Sequence, residues 1–407
     1  MKMIKLNKKY KSLVLGKERY HIISGGRASG KSYSVAAYLL ALTLEKGNVI
    51  LFSRYTMSSV KISVFPEFID KIEELNLQEY YEVTNNEIIN IETGSKIIFK
   101  GIKTGSNLQT ANLKSIANLN IVVIDEAEEI PDEATFDKID LSARRNDKDN
   151  KIILIFNPTT KAHWLYERFF EAAGVTPGDC VTTDDTNYIH SSYLDNLKYL
   201  SDSILKQFEK IRDTNPDKYN HILMGAFLDT AEGVIFTNWK LGEFDDSLEY
   251  HYGQDFGYSP DYDTLTKVAI DKKNRKIYVH ECIYANKLST PELIQRVKAE
   301  TGNKMVIADN SANRLIQELS DAGINIQGCT KGAGSIEDGI KLMLDYEIIV
   351  TPTSTNIVKE LNNYIWSNKK AGHPRDMYNH SIDGIRYIVS HLLKQGTPSF
   401  EFTTIEF

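Results

Sequence analysis

Four short runs of apolar residues mark the first half of the chain: Tyr20-His21-Ile22-Ile23, Val49-Ile50-Leu51-Phe52, Ile121-Val122-Val123-Ile124 and Ile152-Ile153-Leu154-Ile155-Phe156. Such runs lack polar alternation, which predicts strands buried on both faces of a mainly parallel sheet. Between them, 33–44 and 65–75 space their apolar residues as helices do. Residues 87–91 and 96–99 flank Thr93-Gly94-Ser95 and predict a hairpin. From about 184 the pattern changes. Residues 188–219 are polar, rich in Asp, Asn and Lys, and without a strand-like run, which predicts a helical linker. A second α/β pattern starts near 250. Residues 252–258, 264–270 and 276–284 predict a three-stranded meander turning at Asp271-Lys272-Lys273-Asn274. A helix over 291–301, a buried strand over 304–308 and helices over 314–322, 357–366 and 380–393 follow. The expected fold class is α/β, with domains at 1–184, 185–246 and 247–407.

The chemistry begins at the turn after the first strand. Gly25-Gly26-Arg27-Ala28-Ser29-Gly30-Lys31-Ser32 fits G-x-x-x-x-G-K-[ST], between a strand and a helix. Glycines let backbone N–H groups converge on phosphate oxygens, and the helix N-terminus adds partial positive charge. Lys31 is expected on the β and γ phosphates of a nucleoside triphosphate, Ser32 on Mg²⁺, and Arg27 in direct phosphate contact. The run 121–124 ends in Asp125-Glu126, the Walker B pattern. Asp125 is expected to orient Mg²⁺, and Glu126 to be the general base for the attacking water. Asn157, in Phe156-Asn157-Pro158-Thr159, either senses the γ-phosphate or closes its strand in an Asn-Pro turn. Arg144-Arg145 is either a solvated pair or an arginine finger for a neighbouring subunit.

In the second half three acids stand at structured places: Asp255 on the first strand, Asp309 at the end of a central strand, and Asp383 in the last helix. Three strands, a helix, a strand bearing an acid and a helix bearing an acid is the order of ribonuclease H-like nucleases. Their carboxylates bind two Mg²⁺ or Mn²⁺ ions, one activating water and the other stabilising the leaving oxygen. His380 precedes Asp383 by one helical turn, and either ligates the second metal or tunes Asp383. Asp261 and Asp263 read as loop residues.

Composition adds limits. At 407 residues the chain has room for two or three domains. Cys180, Cys282 and Cys329 show no C-x-x-C spacing, which suggests neither a zinc site nor a disulfide frame and favours a reducing cytoplasm. No run is long enough to span a membrane. The net charge of −7 argues against non-specific coating of DNA, though not against a local basic channel. Lys2, Lys5, Lys8, Lys9, Lys11, Lys17 and Arg19 face only Glu18 near the start, as a solvated arm or a contact surface.

These motifs together resemble the large terminase subunit of tailed bacteriophages, in the branch of the SPP1-like and PBSX-like proteins. The resemblance spans nearly the whole chain. It rests on the phosphate loop, Val123-Ile124-Asp125-Glu126-Ala127, Asn157-Pro158-Thr159, Glu232-Gly233-Val234-Ile235-Phe236, Asp255-Phe256-Gly257, Ala308-Asp309 and His380-Ser381-Ile382-Asp383. It implies an ASCE-type P-loop ATPase domain, a helical linker and a ribonuclease H-like mixed α/β nuclease domain. It implies a viral DNA-packaging motor that cuts concatemeric double-stranded DNA, docks on the portal protein of a procapsid and pumps DNA with ATP. The implied partners are DNA, a small terminase subunit and the portal. The chain would be a monomer when free and a homo-oligomeric ring on the portal, in the host bacterial cytoplasm. Asp255, Asp309, His380 and Asp383 match the family's nuclease centre, Asn157 its coupling motif, and Tyr10 or Arg19 is the candidate adenine contact. The tail after Gln395 either docks on portal or procapsid or frays. Two alternatives compete. A helicase or DNA-repair ATPase carrying a nuclease predicts strand separation, yet no set of further helicase motifs precedes Val123. An inactive DNA clamp fits poorly with three acids, which repel phosphate unless metals bridge them.

Overall fold

The computed structural model describes residues 6–394 except 57–59, 61–63, 104–115, 258–260, 330–333 and 368–372. Lys2, Lys5, Tyr258 and the tail from 395 lie outside the described residues. The chain divides into two compact units, Met1–Asp229 and Thr230–Phe407.

In the first unit β1 (Tyr20–Gly25), β2 (Val49–Thr56), β3 (Tyr81–Val83), β4 (Glu87–Asn90), β5 (Lys96–Lys103), β6 (Ile121–Asp125), β7 (Lys151–Phe156) and β8 (Thr186–Ser191) form one sheet. Its order is β3-β4-β5-β2-β6-β7-β1-β8. The β2, β5, β6, β7, β1 and β8 pairings are parallel, while β3 and β4 pair antiparallel and β4 forms the expected hairpin with β5. The apolar runs are buried on both faces. Ile23, Val123, Ile153 and Ile155 share a core with Val35 and Leu39 of helix Lys31–Leu42 and Phe68 of helix Phe65–Glu74. Their alternates Ile22, Ile124, Leu154 and Phe156 pack with Phe136, Trp164 and Phe169 on the other face. Because β7 lies between β1 and β6, the strand end bearing Asn157 falls between the phosphate loop and Asp125.

The segment expected to be helical linker contributes β8 to this sheet. It pairs with β1 from Tyr20↔Thr186 to Gly25↔Ser191. Only Tyr188 and Ile189 supply large apolar side chains; its buried polar groups are satisfied sideways. Asn187 donates to His21 Nδ1 at 3.1 Å, and Ser24 Oγ meets His190 Nδ1 at 3.1 Å. A strand buried by hydrogen bonds leaves no apolar run to read. Helices Asp202–Thr214 and Pro216–Ile222 follow it, as the composition suggested.

In the second unit β9 (Trp239–Leu241), β10 (Tyr250–Asp255), β11 (Asp263–Asp271), β12 (Lys276–Ala285), β13 (Val306–Ala308), β14 (Ile326–Gly328) and β15 (Glu347–Val350) form a mixed sheet in the order β14-β13-β10-β11-β12-β15-β9. The meander β10-β11-β12 is antiparallel, as expected, and β13 joins β10 in parallel. Helix His380–Lys394 packs across β10 and β11. At this crossing a Cβ on Gly253 would lie 2.0 Å from the Gly384 carbonyl oxygen, so the two backbones meet with no side chain between them. The helix expected over 357–366 stops at Leu361. Asn362 and Asn363 follow, a residue type that competes for helix hydrogen bonds, and Ile365 bridges to Val234 instead. Asp263, read as a loop residue, opens β11 and is 4% exposed.

Candidate active sites

The phosphate loop is held by segments far along the chain. Gly25 has φ of +148°, and a Cβ there would lie 1.9 Å from the Ser191 carbonyl oxygen, so β8 approaches as only glycine permits. Gly26 N–H donates to Ser191 O at 3.0 Å and Arg27 N–H to Ile222 O at 2.8 Å. At the crest, where Ala28 has φ of +60°, Asn196 Nδ2 donates to the Ala28 carbonyl at 3.0 Å. Residues 26–33 line a cavity of about 280 Å³ together with Arg54, Asp125, Glu126 and Asn157.

Inside it the side chains form two hydrogen-bonded sets, Lys31-Asn157-Glu128 and Ser32-Asp125-Arg54-Glu126. Lys31 Nζ donates to Gly25 O and Gly26 O, each at 2.8 Å, and to Asn157 Oδ1 at 3.0 Å. Burial pushes the Lys31 ammonium down to about 8. Ser32 Oγ donates to Asp125 Oδ1 at 3.3 Å. Asn157 offers its N–H and its Nδ2 to Glu128 Oε1, each at 3.2 Å, which fixes the amide with its oxygen toward Lys31. Glu128 was not legible as a site residue; burial raises its carboxyl to about 7. Glu126 sits just past β6 with φ of +55°, its side chain 36% exposed, and burial raises its carboxyl. Arg54, at the end of β2, pairs with Asp125 Oδ2 at 2.5 Å and Glu126 Oε1 at 3.2 Å. Arg27 is exposed at the mouth. Tyr33 also lines the cavity, with the ammonium of buried Lys71 3.8 Å from its ring centroid.

The other candidates fall elsewhere. Tyr10 is fully buried and bonded to Ser191 Oγ at 3.0 Å, so its ring cannot meet a base. Arg19 is bound to Asp140 at 2.8 Å, just before the start of β1. Arg144 is exposed, and Arg145 is held by Asp147 and by the Gly47 carbonyl, which precedes β2.

In the second unit the end of β10 and the first turns of helix His380–Lys394 meet. Asp255 Oδ2 lies 3.3 Å from His380 Nδ1, and Tyr387 OH donates to Asp255 Oδ1 at 3.2 Å. Asp383 pairs with Arg386 Nη2 at 3.0 Å. Burial outweighs Arg386 and raises the Asp383 carboxyl to about 6, with Asp255 adding to the rise. Burial opposes the charge on His380, yet the hydrogen bond to Asp255 and the surrounding carboxylates raise it overall. Asp309 follows β13, whose Ala308 is in register with Gln254, so Asp255 and Asp309 leave neighbouring parallel strands. Its Oδ1 accepts the Ser311 N–H at 2.9 Å. Buried Asp263, raised to about 6 by burial and then by Asp255, accepts Gly257 N–H. Glu360, 1% exposed, caps the helix by accepting Ser381 N–H at 3.2 Å and Ile382 N–H at 3.0 Å; no sequence signal marked it.

The structure thus brings Asp255, His380 and Asp383 together and sets Asp309 on the adjoining strand end. Among the described residues no three carboxylates or imidazoles converge as a ready-made metal cage. Each acid is instead engaged by its own protein donor. Hard oxygen donors with one imidazole suit Mg²⁺ or Mn²⁺, and the raised Asp383 carboxyl is that of an acid short of compensating charge. The residues therefore fit divalent ions, provided Arg386 and His380 yield their partners.

The profile of the family described as "Phage terminase large subunit" matches residues 17–226, just over half of the chain, and that described as "Terminase RNAseH like domain" matches 255–391. The large terminase subunit of Bacillus phage SPP1 is 27% identical over 435 residues, covering 97% of this chain and 99% of that protein. The PBSX phage terminase large subunit of Bacillus subtilis (strain 168) is 24% identical over 379 residues, covering 87% of this chain and 85% of that protein. The crystal structure of the HK97 bacteriophage large terminase shares the fold, with a TM-score of 0.52 at 12% identity, covering 96% of this chain and 94% of that one.

Proposed function

This chain belongs to the phage terminase large subunit family, and from that premise we propose an ATP-driven motor that moves double-stranded DNA into procapsids and cuts concatemeric DNA by metal-dependent phosphodiester hydrolysis. The observation that carries the motor half is the cavity lined by Lys31, Ser32, Asp125 and Asn157, in which Lys31 donates to Asn157 at 3.0 Å and Ser32 to Asp125 at 3.3 Å. Lys31 would exchange loop carbonyls for phosphate oxygens, with Arg27 at the mouth. Asn157, steadied by Glu128, would follow the γ-phosphate, and Glu126 would take the proton of the attacking water. Ser32 and Asp125 would hold the Mg²⁺ that accompanies ATP. In the second unit Asp255, Asp309, His380 and Asp383 would hold one or two divalent ions. Those ions supply Lewis-acid activation of water and stabilise the leaving oxygen.

A motor that passes any sequence needs a grip on phosphates rather than on bases. Choice of the first cutting site would fall to a small terminase subunit, and docking to the portal, where copies of the chain would form a ring. The place of action would be the cytoplasm of the host bacterium. Among the described residues no helix is long and apolar enough to cross a membrane.

The test is plasmid cleavage in Mg²⁺ or Mn²⁺ alongside ATP hydrolysis, for wild type, Lys31→Ala, Asp255→Ala, Asp309→Ala and Asp383→Ala. We expect Lys31→Ala to lose hydrolysis and keep cleavage, and the three acid variants to do the reverse. Acid variants that cut as well as wild type would refute the nuclease assignment.

A further inference from the structure

Arg54 belongs to none of the motifs that define the ATP site, yet it sits at their centre. It leaves the end of β2, which lies beside β6, and its side chain is 14% exposed. Its Nε and Nη2 lie 2.9 and 2.5 Å from Asp125 Oδ2, and its Nη1 lies 3.2 Å from Glu126 Oε1. One planar guanidinium therefore spans both acids, which the point charge of a lysine cannot do. Asp125 turns its other oxygen to Ser32, so both of its oxygens are engaged.

The carboxylate assigned to ion holding thus already carries a cation. A guanidinium and a divalent ion cannot both take Asp125 Oδ2: they compete for the same lone pairs and repel each other. The Arg54 side chain also lines the cavity, so once released from the acids it remains where a triphosphate brings negative charge. We propose that Arg54 is a positioning residue that locks Asp125 and Glu126 together until nucleotide enters, competes with the divalent ion for Asp125, and passes to the phosphates when that ion is bound. Hydrolysis is then coupled to arrival of the complete metal–nucleotide pair, because neither acid is free before it. The inference rests on the reading of this cavity as the ATP site.

The experiment is a Mg²⁺ titration of fluorescent ADP binding to the full chain, with the protein's melting temperature measured in EDTA. For Arg54→Ala we expect half-saturation at about tenfold lower Mg²⁺ than wild type, as a lost competitor worth one ion pair would give. Binding in EDTA should weaken, because Asp125 and Glu126 then face the phosphates without the cation that pairs them. Arg54→Lys, which keeps the charge and cannot bridge both acids, should fall between them in Mg²⁺ demand and restore binding in EDTA. A merely structural arginine would lower the melting temperature and leave the Mg²⁺ midpoint in place; an unshifted midpoint in both variants overturns the lock. Lys31→Ala binding ADP as wild type does would instead overturn the ATP site itself, and the lock with it.

Discussion

The two acid-bearing sites balance charge in different ways. At the end of β6, Asp125 and Glu126 are both paired with Arg54, so each carboxylate has a fixed cation beside it. At the end of β10, among the described residues, Asp255 is paired with His380 and Asp383 with Arg386, and Asp263 and Asp383 are raised to about 6 by burial. The first site is built to be complete without metal and to trade its own cations for phosphate. In the second, burial outweighs the arginine beside Asp383, and on the proposed function divalent ions would complete it. That difference suits a motor that must cycle continuously and a nuclease that must stay quiet while DNA passes.

The largest expected effect tests whether the two sites are separate machines. Glu126→Gln keeps shape and hydrogen bonding but cannot accept a proton. ATP hydrolysis should fall about 10²–10⁴-fold, as loss of a general base does, with ADP affinity and plasmid cleavage unchanged. Loss of cleavage in the same variant would mean that the sites share more than a chain.

The next effect concerns pH, where two buried groups pull in opposite directions. Burial pushes His21, on β1 beside β8, down to about 4, while its ordinary value is near 6.5. Between those values the unfolded chain takes up a proton that the folded one refuses. Its stabilising share is therefore whole above pH 6.5 and is lost as pH falls toward 4, by up to roughly 3 kcal/mol. Asp263 is raised, so the sign reverses: the folded form protonates first, and its unfavourable share, full above about pH 6, is relieved as pH falls below that. Melting curves in EDTA, each referred to its own variant, separate the two. From pH 7 to 4.5, wild type should lose ground against His21→Gln and gain it against Asp263→Asn. Parallel drifts would dismiss the contrast.

Gly253→Ala asks whether the nuclease geometry depends on the helix crossing alone. The new Cβ would meet the Gly384 carbonyl, and backbone cannot yield as a side chain does. We expect a cost of about 1–3 kcal/mol. Plasmid cleavage should be lost as Asp383 moves from Asp255, with ATP hydrolysis kept. Retained cleavage would show that the acids tolerate a displaced helix.

What the sequence made legible follows from how each piece is buried. The strands of the first sheet that end in chemistry, β1, β6 and β7, are apolar on both faces, so their run and terminal residues stand out together. Asp255 and Asp383 stood out as candidates because topology fixes where such acids fall. Arg54, Glu128 and Glu360 were not found, since each acts through a partner more than 20 residues away and carries no local pattern. Asn362-Asn363 ended a helix that apolar spacing alone would have continued.

The smallest effect tests the part of the ATP site that was read as linker. β8 and the turn after it supply the Ser191 carbonyl to Gly26 N–H and Asn196 to the Ala28 carbonyl, so they shape the phosphate loop without lining its cavity. Ala28 holds a left-handed conformation that costs an alanine energy, and the Asn196 hydrogen bond at 3.0 Å offsets part of that cost. Asn196→Ala removes a neutral hydrogen bond worth about 0.5–1.5 kcal/mol. If that bond holds the loop in its phosphate-ready shape, the loss appears in binding, and ADP affinity should fall about two- to tenfold with plasmid cleavage untouched. If the loop keeps its shape unaided, affinity will match wild type, and Asn196 will belong to the surface of the first unit rather than to its site. A strand with only two large apolar residues would then contribute to the sheet and not to the chemistry, and the division read from the sequence at 184 would describe function better than it describes fold.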